Sequence, residues 1–315
     1  MRVLVTGARG FVGSALTRAL HEADWQVVAA VRQPDRGDNE VAVGDINDRT
    51  RWQEALRGCD TVIHLAARVH MMRDTATDPL AAFRAVNTEG TLNLARQAAQ
   101  AGVRRFVFMS SIKVNGESTP KNRAFSEADV PAPQDAYAQS KWEAEQGLLA
   151  LARQTGMEVV IVRAPLVYGP GVKGNFASLV RWVRKGMPLP LASVNNRRSL
   201  LALDNLTEFI ALCADPGLSP HAANEVFLLS DGEDVSTPEL LRRVAQAYAV
   251  PSRLFAMPTT LIRDAAVLLG KGAAAERLLG SLVVDSSKAR RLLDWKPVIS
   301  MDGQLLEMAL YDAHF

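Results

Sequence analysis

Cysteine is scarce. The 315 residues include two, Cys59 and Cys213, far apart and outside any CxxC or Cys/His cluster. That pattern excludes a disulfide framework and a zinc site, and predicts two reduced, buried thiols. An excess of charge of one sign is also lacking: 36 Lys and Arg against 34 Asp and Glu leave a net charge of +2. Such a balance excludes the basic surplus of a nucleic-acid or membrane-surface protein, though not a local cluster for a phosphorylated ligand. No uncharged stretch reaches the roughly 18 residues that span a bilayer. Met1–Thr6 is a short apolar run that meets glycines at once, unlike a secretory signal, so the expected location is the cytoplasm. There is no internal repeat and no low-complexity tract. What is present is ordinary globular composition, 48% hydrophobic and 22% charged, with length for a large core or two lobes sharing one.

Short apolar runs alternate with helix-like stretches through the first half. Strands are predicted at Val3–Thr6, Val27–Val31, Val41–Val43, Thr61–Leu65, Arg105–Met109 and Val159–Arg163. Helices are predicted at Phe11–Glu22, Thr50–Arg57, Pro79–Ala101 and Ala136–Gln154. Continuous β-branched runs separated by helical crossovers imply a doubly wound parallel α/β sheet. After Arg163 the rhythm changes. Ala164–Gly174 reads as loop, a helix is expected at Phe176–Lys185, a short apolar stretch at Leu200–Leu203, and Asp204 stands where it could cap a helix running to Cys213. Glu225–Leu229 looks like a further strand, and helical patterns dominate from Thr237 onward. The expected division is a nucleotide-binding lobe of residues 1–165, to which about 199–230 return, and a smaller C-terminal α/β lobe made of 166–198 and 231–315.

Between the first strand and first helix stands Thr6-Gly7-Ala8-Arg9-Gly10-Phe11-Val12-Gly13. In such a GxxGxxG turn one glycine permits the tight bend, one lets backbone approach a pyrophosphate, and one lets helix and sheet pack closely. At about 7% glycine usage the spacing arises by chance in about 3 of 10,000 windows, so a dinucleotide site is expected here. The second strand ends in Arg32, where NAD sites commonly place a carboxylate on the ribose. A guanidinium matches a 2′-phosphate in charge and fork geometry. NADP(H) is therefore favoured, with Arg36 as a second partner, while NAD(H) and a plain surface arginine stay open. Asp45, followed by Ile46, is placed to contact the adenine.

Tyr137 and Lys141 stand four apart and, on a helix, face the same side. A lysine ammonium about 6 Å away, at an effective dielectric of about 20, stabilises phenolate by roughly 2.8 kcal/mol. That lowers the tyrosine pKa by about 2 from its usual value near 10, making Tyr137 a workable acid/base. Ser111 follows the strand Arg105–Met109, at the carboxyl end of the sheet where ligands bind in such folds.

Together with Asn87-Thr88-Glu89-Gly90, Arg163-Ala164-Pro165, Tyr168-Gly169-Pro170-Gly171 and Trp295-Lys296-Pro297, these motifs resemble the extended short-chain dehydrogenase/reductase (NAD-dependent epimerase/dehydratase) family over nearly the whole chain. The resemblance implies a Rossmann lobe, a smaller substrate lobe and chemistry at a sugar or other carbonyl carbon. It assigns Tyr137 as acid/base, Lys141 as the lysine that lowers its pKa and binds ribose, and Ser111 as the residue orienting substrate. Cofactor contacts are implied at Gly7, Arg9, Gly10, Phe11, Val12, Leu65, Ala66, Ala67, Asn87, Ala164 and Pro165. Asn87 reads equally well as a structural helix asparagine.

Dehydratases of the family need an extra acid and base beside the serine. Here Ile112 cannot move a proton, and Lys113 is expected to lack a carboxylate partner. Ser110–Glu117 is similar to bacterial 4-reductases of UDP-4-keto-6-deoxy-N-acetylhexosamines. The implied function is NADPH-dependent reduction of that 4-keto group, giving UDP-N-acetylquinovosamine or UDP-N-acetylfucosamine for surface polysaccharide. The alternatives are a UDP-hexose or UDP-N-acetylhexosamine 4-epimerase and, more distantly, an NADP-binding sensor, which the presence of both Tyr137 and Lys141 disfavours. Arg198 matches the family's diphosphate arginine, with Leu200 where an aromatic is usual. Arg277 falls where a second is often found, Asn175 matches a diphosphate or nucleotide contact, and Lys113 is a candidate for the acetamido group. The family often forms homodimers through two helices, here Pro79–Ala101 and Ala136–Gln154. No metal ligand set, nucleic-acid partner or membrane insertion is implied.

Overall fold

A computed structural model describes residues 1–33, 39–69, 78–270 and 272–314. Ten strands are described: β1 Arg2–Thr6, β2 Gln26–Val31, β3 Glu40–Ala42, β4 Thr61–His64, β5 Arg105–Ser111, β6 Glu158–Ala164, β7 Leu166–Tyr168, β8 Arg198–Ala202, β9 Val226–Leu228 and β10 Asp234–Val235. The helices are α1 Phe11–Glu22, α2 Pro79–Arg84, α3 Thr91–Gln100, α4 Ala136–Thr155, α5 Gly174–Arg184, α6 Leu203–Ala214, α7 Thr237–Ala247, α8 Thr259–Leu268, α9 Gly272–Leu279, α10 Ser287–Leu293 and α11 Met301–His314.

Seven strands form one parallel sheet in the order β3-β2-β1-β4-β5-β6-β9. Alternation along β1 explains its two-sided burial. Val3 and Val5 point into a core with Leu16 and Leu20 of α1 and Phe209 and Ile210 of α6. Leu4 points the other way, toward Leu94 of α3 and Leu148 of α4. A buried side chain of this size contributes roughly 1.5–3 kcal/mol, so a sheet buried on both faces needs the apolar runs seen in its sequence. The strand order turns at β1, which pairs with β2 on one side and β4 on the other. A crevice opens at the carboxyl ends of strands at such a reversal. A second sheet, β10-β8-β7, packs with α5, α7 and α11 around Tyr168, Phe176, Leu241 and Met308.

Four local expectations are corrected. Thr50–Arg57 is a run of turns, not a helix. Side chains of α3 capture its backbone: Gln97 accepts from the Trp52 N–H at 2.8 Å, and Asn93 and Gln97 donate to the Thr50 carbonyl at 2.8 and 2.9 Å. The expected loop Ala164–Gly174 contains β7, stabilised by parallel pairing with β8. Asp204 does not cap α6. The cap position is Ala202, and the Asp204 N–H is satisfied by Gln304 Oε1 at 3.0 Å. Finally, Pro79–Ala101 is broken into α2 and α3 by a wide helical turn at Ala85–Gly90. Cys59 and Cys213 are both buried and unbonded to each other. No helix among the described residues is long and apolar enough to cross a membrane.

Candidate active site

The glycine turn is shaped by contacts that leave no room for side chains. Gly7 has φ +69°, and a Cβ there would lie 2.9 Å from the Ala66 nitrogen. At Gly13 a Cβ would fall 2.0 Å from the Gly7 carbonyl oxygen, so α1 can approach β1 only because this residue has none. Gly10 caps α1 and donates its N–H to the Gly7 carbonyl at 2.9 Å. Phe11 and Val12 follow, half-buried, in the first turn. Beside the turn, Leu65, Ala66 and Ala67 leave the end of β4. The Ala66 N–H donates to Thr6 Oγ1 at 3.1 Å, and the same hydroxyl meets His64 Nδ1 at 2.7 Å. His64 Nε2 meets Thr91 Oγ1 at 2.9 Å. Burial, reinforced by the Lys141 ammonium, holds the His64 pKa down to about 3, so this imidazole is a neutral strut between β1, β4 and α3.

At the outer rim the charges are already paired. Arg9 forms a two-pronged contact with Glu40 at 2.9 and 2.6 Å. Arg32 Nε lies 3.1 Å from Asp45 Oδ1, with the two side chains 83% and 80% exposed. The arginine and aspartate expected on opposite ends of an adenosine thus meet each other. Ile46 packs against Gly90, where a Cβ would sit 2.7 Å from its Cγ2. Arg36 lies outside the described residues.

Ser111, Tyr137 and Lys141 come together at the end of β5. Asp135 caps α4, its Oδ1 accepting from the Ala138 N–H at 2.7 Å, which places Tyr137 in the first turn and Lys141 in the next. Tyr137 hydrogen-bonds with the Ser111 side chain, and its ring stands edge-on to Phe83 at 6.1 Å. Lys141 Nζ donates to the Met109 carbonyl at 2.9 Å and sits 4.5 Å from the centroid of the Phe108 ring. The electrostatics differ from the sequence-based expectation. Tyr137 is pushed up to about 12, first by burial and then by the Asp135 carboxylate, with the Ser111 hydrogen bond opposing. Lys141 is pulled down to about 7 by burial, against the pull of Glu145. Desolvation disfavours both charged forms, and it outweighs the attraction expected of two groups one turn apart. Burial thus favours the protonated form of the phenol.

Asn87 lies in the wide turn at Ala85–Gly90, a distortion frequent at functional sites. It donates to Ser140 Oγ and to the Arg68 carbonyl, both at 3.0 Å, and accepts from the Arg68 N–H at 2.8 Å. Lys113, expected to lack a carboxylate partner, has two: Glu117, four residues on, at 2.7 Å and Asp135 at 2.6 Å. Its ammonium braces the cap of α4. Ala164 ends β6 in register with Ser111, and Pro165 follows.

The substrate candidates divide. Arg198 donates to the Arg277 carbonyl at 2.7 Å and to the Gly280 carbonyl at 3.1 Å. Burial and the neighbouring Arg277 guanidinium lower its pKa, so β8 and α9 bring two positive charges together. Asn175 is exposed on the first turn of α5.

Residues 3–224 match the model of the NAD dependent epimerase/dehydratase family. The chain belongs to that family. A UDP-glucose 4-epimerase of Vibrio cholerae is 47% identical over 299 residues, covering 94% of this chain and 90% of that protein. Among solved structures, a short-chain dehydrogenase/reductase superfamily protein of Agrobacterium tumefaciens with bound NAD superposes with a TM-score of 0.79 at 24% identity, covering 100% of this chain and 98% of that one. The UDP-glucuronic acid 4-epimerase of Bacillus cereus in complex with NAD gives 0.78 at 20% identity, over 100% and 99% of the two chains. These two likenesses concern the fold. Gly7 and Gly13, where any Cβ would strike the backbone of Ala66 and of Gly7, let β1 and α1 close into a backbone cradle that fits a dinucleotide of the kind that names the family.

One group at this family member's site escaped the sequence reading. Glu145, fully buried, accepts from Ser110 Oγ and from Arg163, whose Nη2 lies 2.6 Å away. Arg163 Nη1 donates to Asn115 Oδ1 at 2.9 Å. The available signal was Glu145 standing four residues after Lys141, and an arginine inside the apolar run of β6.

Proposed function

We propose that this enzyme reduces the 4-keto group of a UDP-4-keto-6-deoxy-N-acetylhexosamine with NADPH, giving UDP-N-acetylquinovosamine or UDP-N-acetylfucosamine for surface polysaccharide. The observation that carries the reading is the buried phenol of Tyr137 hydrogen-bonded to Ser111 at the carboxyl end of β5. A group that holds its proton at neutral pH suits donation to a developing alkoxide, which is what reduction of a ketone requires.

The hydride for carbon 4 is the chemistry a reduced dinucleotide would supply when bound at the Gly7–Gly13 turn. Tyr137 gives its proton to the carbonyl oxygen, so C=O becomes CH–OH. Ser111 holds the same oxygen and Tyr137 by hydrogen bonds, placing a donor where charge develops. The Lys141 ammonium, one helical turn away, opposes the negative charge left on the phenol until solvent reprotonates it. Arg32 exchanges its exposed carboxylate partner for a 2′-phosphate, a replacement favoured because surface ion pairs contribute little. Arg198 and Arg277 hold the substrate diphosphate, with Asn175 and Lys113 at the edges of the sugar nucleotide. In this reading residues 1–165 and about 199–230 form the NADP lobe, and 166–198 with 231–315 form the substrate lobe. We place the enzyme in the cytoplasm, where free thiols persist, as a homodimer paired through α2–α3 and α4.

The second reading, a UDP-hexose 4-epimerase, is favoured by the Vibrio cholerae relative. One experiment separates the two. The 4-keto sugar nucleotide is mixed with enzyme and NADPH, and absorbance at the reduced-nicotinamide band is followed while NMR identifies the sugar. Stoichiometric decay with a 4-hydroxy product supports the reductase. Interconversion of UDP-N-acetylglucosamine and its C4 epimer without added reductant supports the epimerase and ends the reductase proposal.

A further inference from the structure

Below the proposed reaction centre lies a buried charge pair that the mechanism above leaves unused. Glu145 is one helical turn beyond Lys141 on α4, and neither it nor Arg163 reaches solvent to any extent: their side chains are 0% and 4% exposed. The carboxylate is fully engaged. It accepts one bifurcated hydrogen bond from Arg163 Nε, at 3.0 and 3.2 Å to its two oxygens, one from Nη2 at 2.6 Å, and one from Ser110. Arg163 is anchored in turn by Asn115 and by the Trp142 ring at 5.7 Å. Ser110 precedes Ser111 on β5, so the cluster ties the end of that strand, the end of β6 and the helix bearing Tyr137 and Lys141.

A buried ion pair is weak evidence of stability, because apolar replacements often do as well. The surroundings of Lys141 are poor in negative charge. From β5 it meets the Phe108 ring and the Met109 carbonyl. From β4, across Phe108, comes neutral His64. Tyr137 on its own helix is a protonated phenol, and Asn87 approaches the helix through Ser140. The Asp135 carboxylate is committed to Lys113 and to the helix cap, and Arg163 from β6 reaches this region through Glu145. Among the described residues, the carboxylate buried one helical turn from the lysine on α4 is that of Glu145.

We propose that Glu145, clamped by Arg163 and Ser110, is a positioning residue that keeps Lys141 in its ammonium form against the Met109 carbonyl. This rests on the reading of Lys141 as the charge partner of Tyr137. Neutralising Glu145 removes the buried negative charge one helical turn from the lysine and leaves the Arg163 guanidinium that it binds uncompensated in the same buried cluster, so proton loss from Lys141 becomes easier from both causes.

The test titrates Lys141 directly, in the whole protein without substrate, through the Cε resonance of 13C-labelled lysine assigned with Lys141→Arg. Wild type and Glu145→Asp, which keeps the charge, should share a midpoint. Glu145→Gln should lower it by at least one pH unit, a tenfold loss of proton affinity. The double variant Glu145→Gln/Arg163→Gln, which leaves no buried unpaired charge, should fall between wild type and Glu145→Gln. The alkaline limb of kcat/KM should move to lower pH in the same order, because the ammonium is the active form. Should Glu145→Gln fail to fold, a double variant with a midpoint below wild type upholds the inference. Midpoints of Glu145→Gln and of the double variant at the wild-type value would overturn it, as would a double variant displaced as far as Glu145→Gln, which would mark a packing role. The titration needs no turnover. If Tyr137→Phe retained full activity while this order held, the catalytic reading would fall and the hold of Glu145 on Lys141 would stand.

Discussion

Replacing Arg32 by alanine should separate the two coenzymes. In the free protein Arg32 is paired with Asp45 at 3.1 Å, with both side chains more than three-quarters exposed. Such a pair contributes at most about 1 kcal/mol. Hydrogen bonds from a guanidinium to a charged phosphate contribute about 1.5–3 kcal/mol. The difference, about 0.5–2 kcal/mol, is the expected loss on Arg32→Ala, equivalent to about a 2- to 30-fold rise in the Kd for NADPH. NADH has no 2′-phosphate, so its Kd should be unchanged. The converse substitution, Asp45→Asn, removes the competitor of the phosphate and should tighten NADPH severalfold without affecting NADH. Titration calorimetry at fixed ionic strength measures both coenzymes on the three proteins. An equal loss for NADH and NADPH in Arg32→Ala, or no loss for either, would refute the assignment of this arginine to the 2′-phosphate.

Ser111→Ala removes the hydrogen bond that opposes the upward pull of burial on Tyr137. At about 1–3 kcal/mol for such a bond, kcat should fall about 5- to 100-fold with coenzyme affinity retained, and an unchanged kcat in single-turnover assays would remove Ser111 from the mechanism. Gly13→Ala forces a methyl to within 2.0 Å of the Gly7 carbonyl oxygen, so α1 must move. Overpacking of this kind costs about 1–3 kcal/mol, seen as lower stability in urea together with weaker dinucleotide binding; full retention of both would contradict the cradle. The His64 pKa, lowered to about 3 from 6.5, means that the unfolded chain takes up this proton first as pH falls. Its contribution is present above pH 6.5 and is lost progressively toward pH 3. Between pH 7 and pH 4 the wild type should lose about 3 kcal/mol more stability than His64→Gln. Parallel urea-unfolding curves for the two proteins would show that His64 is not the strut described.

The parts legible in the sequence are those where one short segment determines its own conformation. The turn from Gly7 to Gly13 is shaped by its lack of side chains, and the apolar runs of β1, β2 and β6 can form only strands buried on both faces. Tyr137 and Lys141 are related by helical spacing alone. Elements whose partners are distant in the chain were misread. The Thr50–Arg57 segment has a helical pattern, but Asn93 and Gln97 bind its backbone groups from α3. β7 is three residues long and exists through β8, and the first turn of α6 is held by Gln304 from α11. The same distinction applies at the site. Spacing placed the lysine near the tyrosine, yet it carried no information on burial, which reverses the expected direction of the tyrosine pKa. The Asp135 carboxylate on Lys113 and the Glu145–Arg163 pair likewise appear only when strands and helices are assembled.

Substitution of Tyr137 by phenylalanine tests the central assignment most directly. Phe keeps the ring that meets Phe83 at 6.1 Å and removes the hydroxyl bonded to Ser111. Single-turnover oxidation of NADPH by the 4-keto sugar nucleotide should slow about 10²- to 10⁴-fold, the usual contribution of a positioned proton donor, while NADPH binds as tightly as to the wild type. Turnover at the wild-type rate in Tyr137→Phe would contradict it.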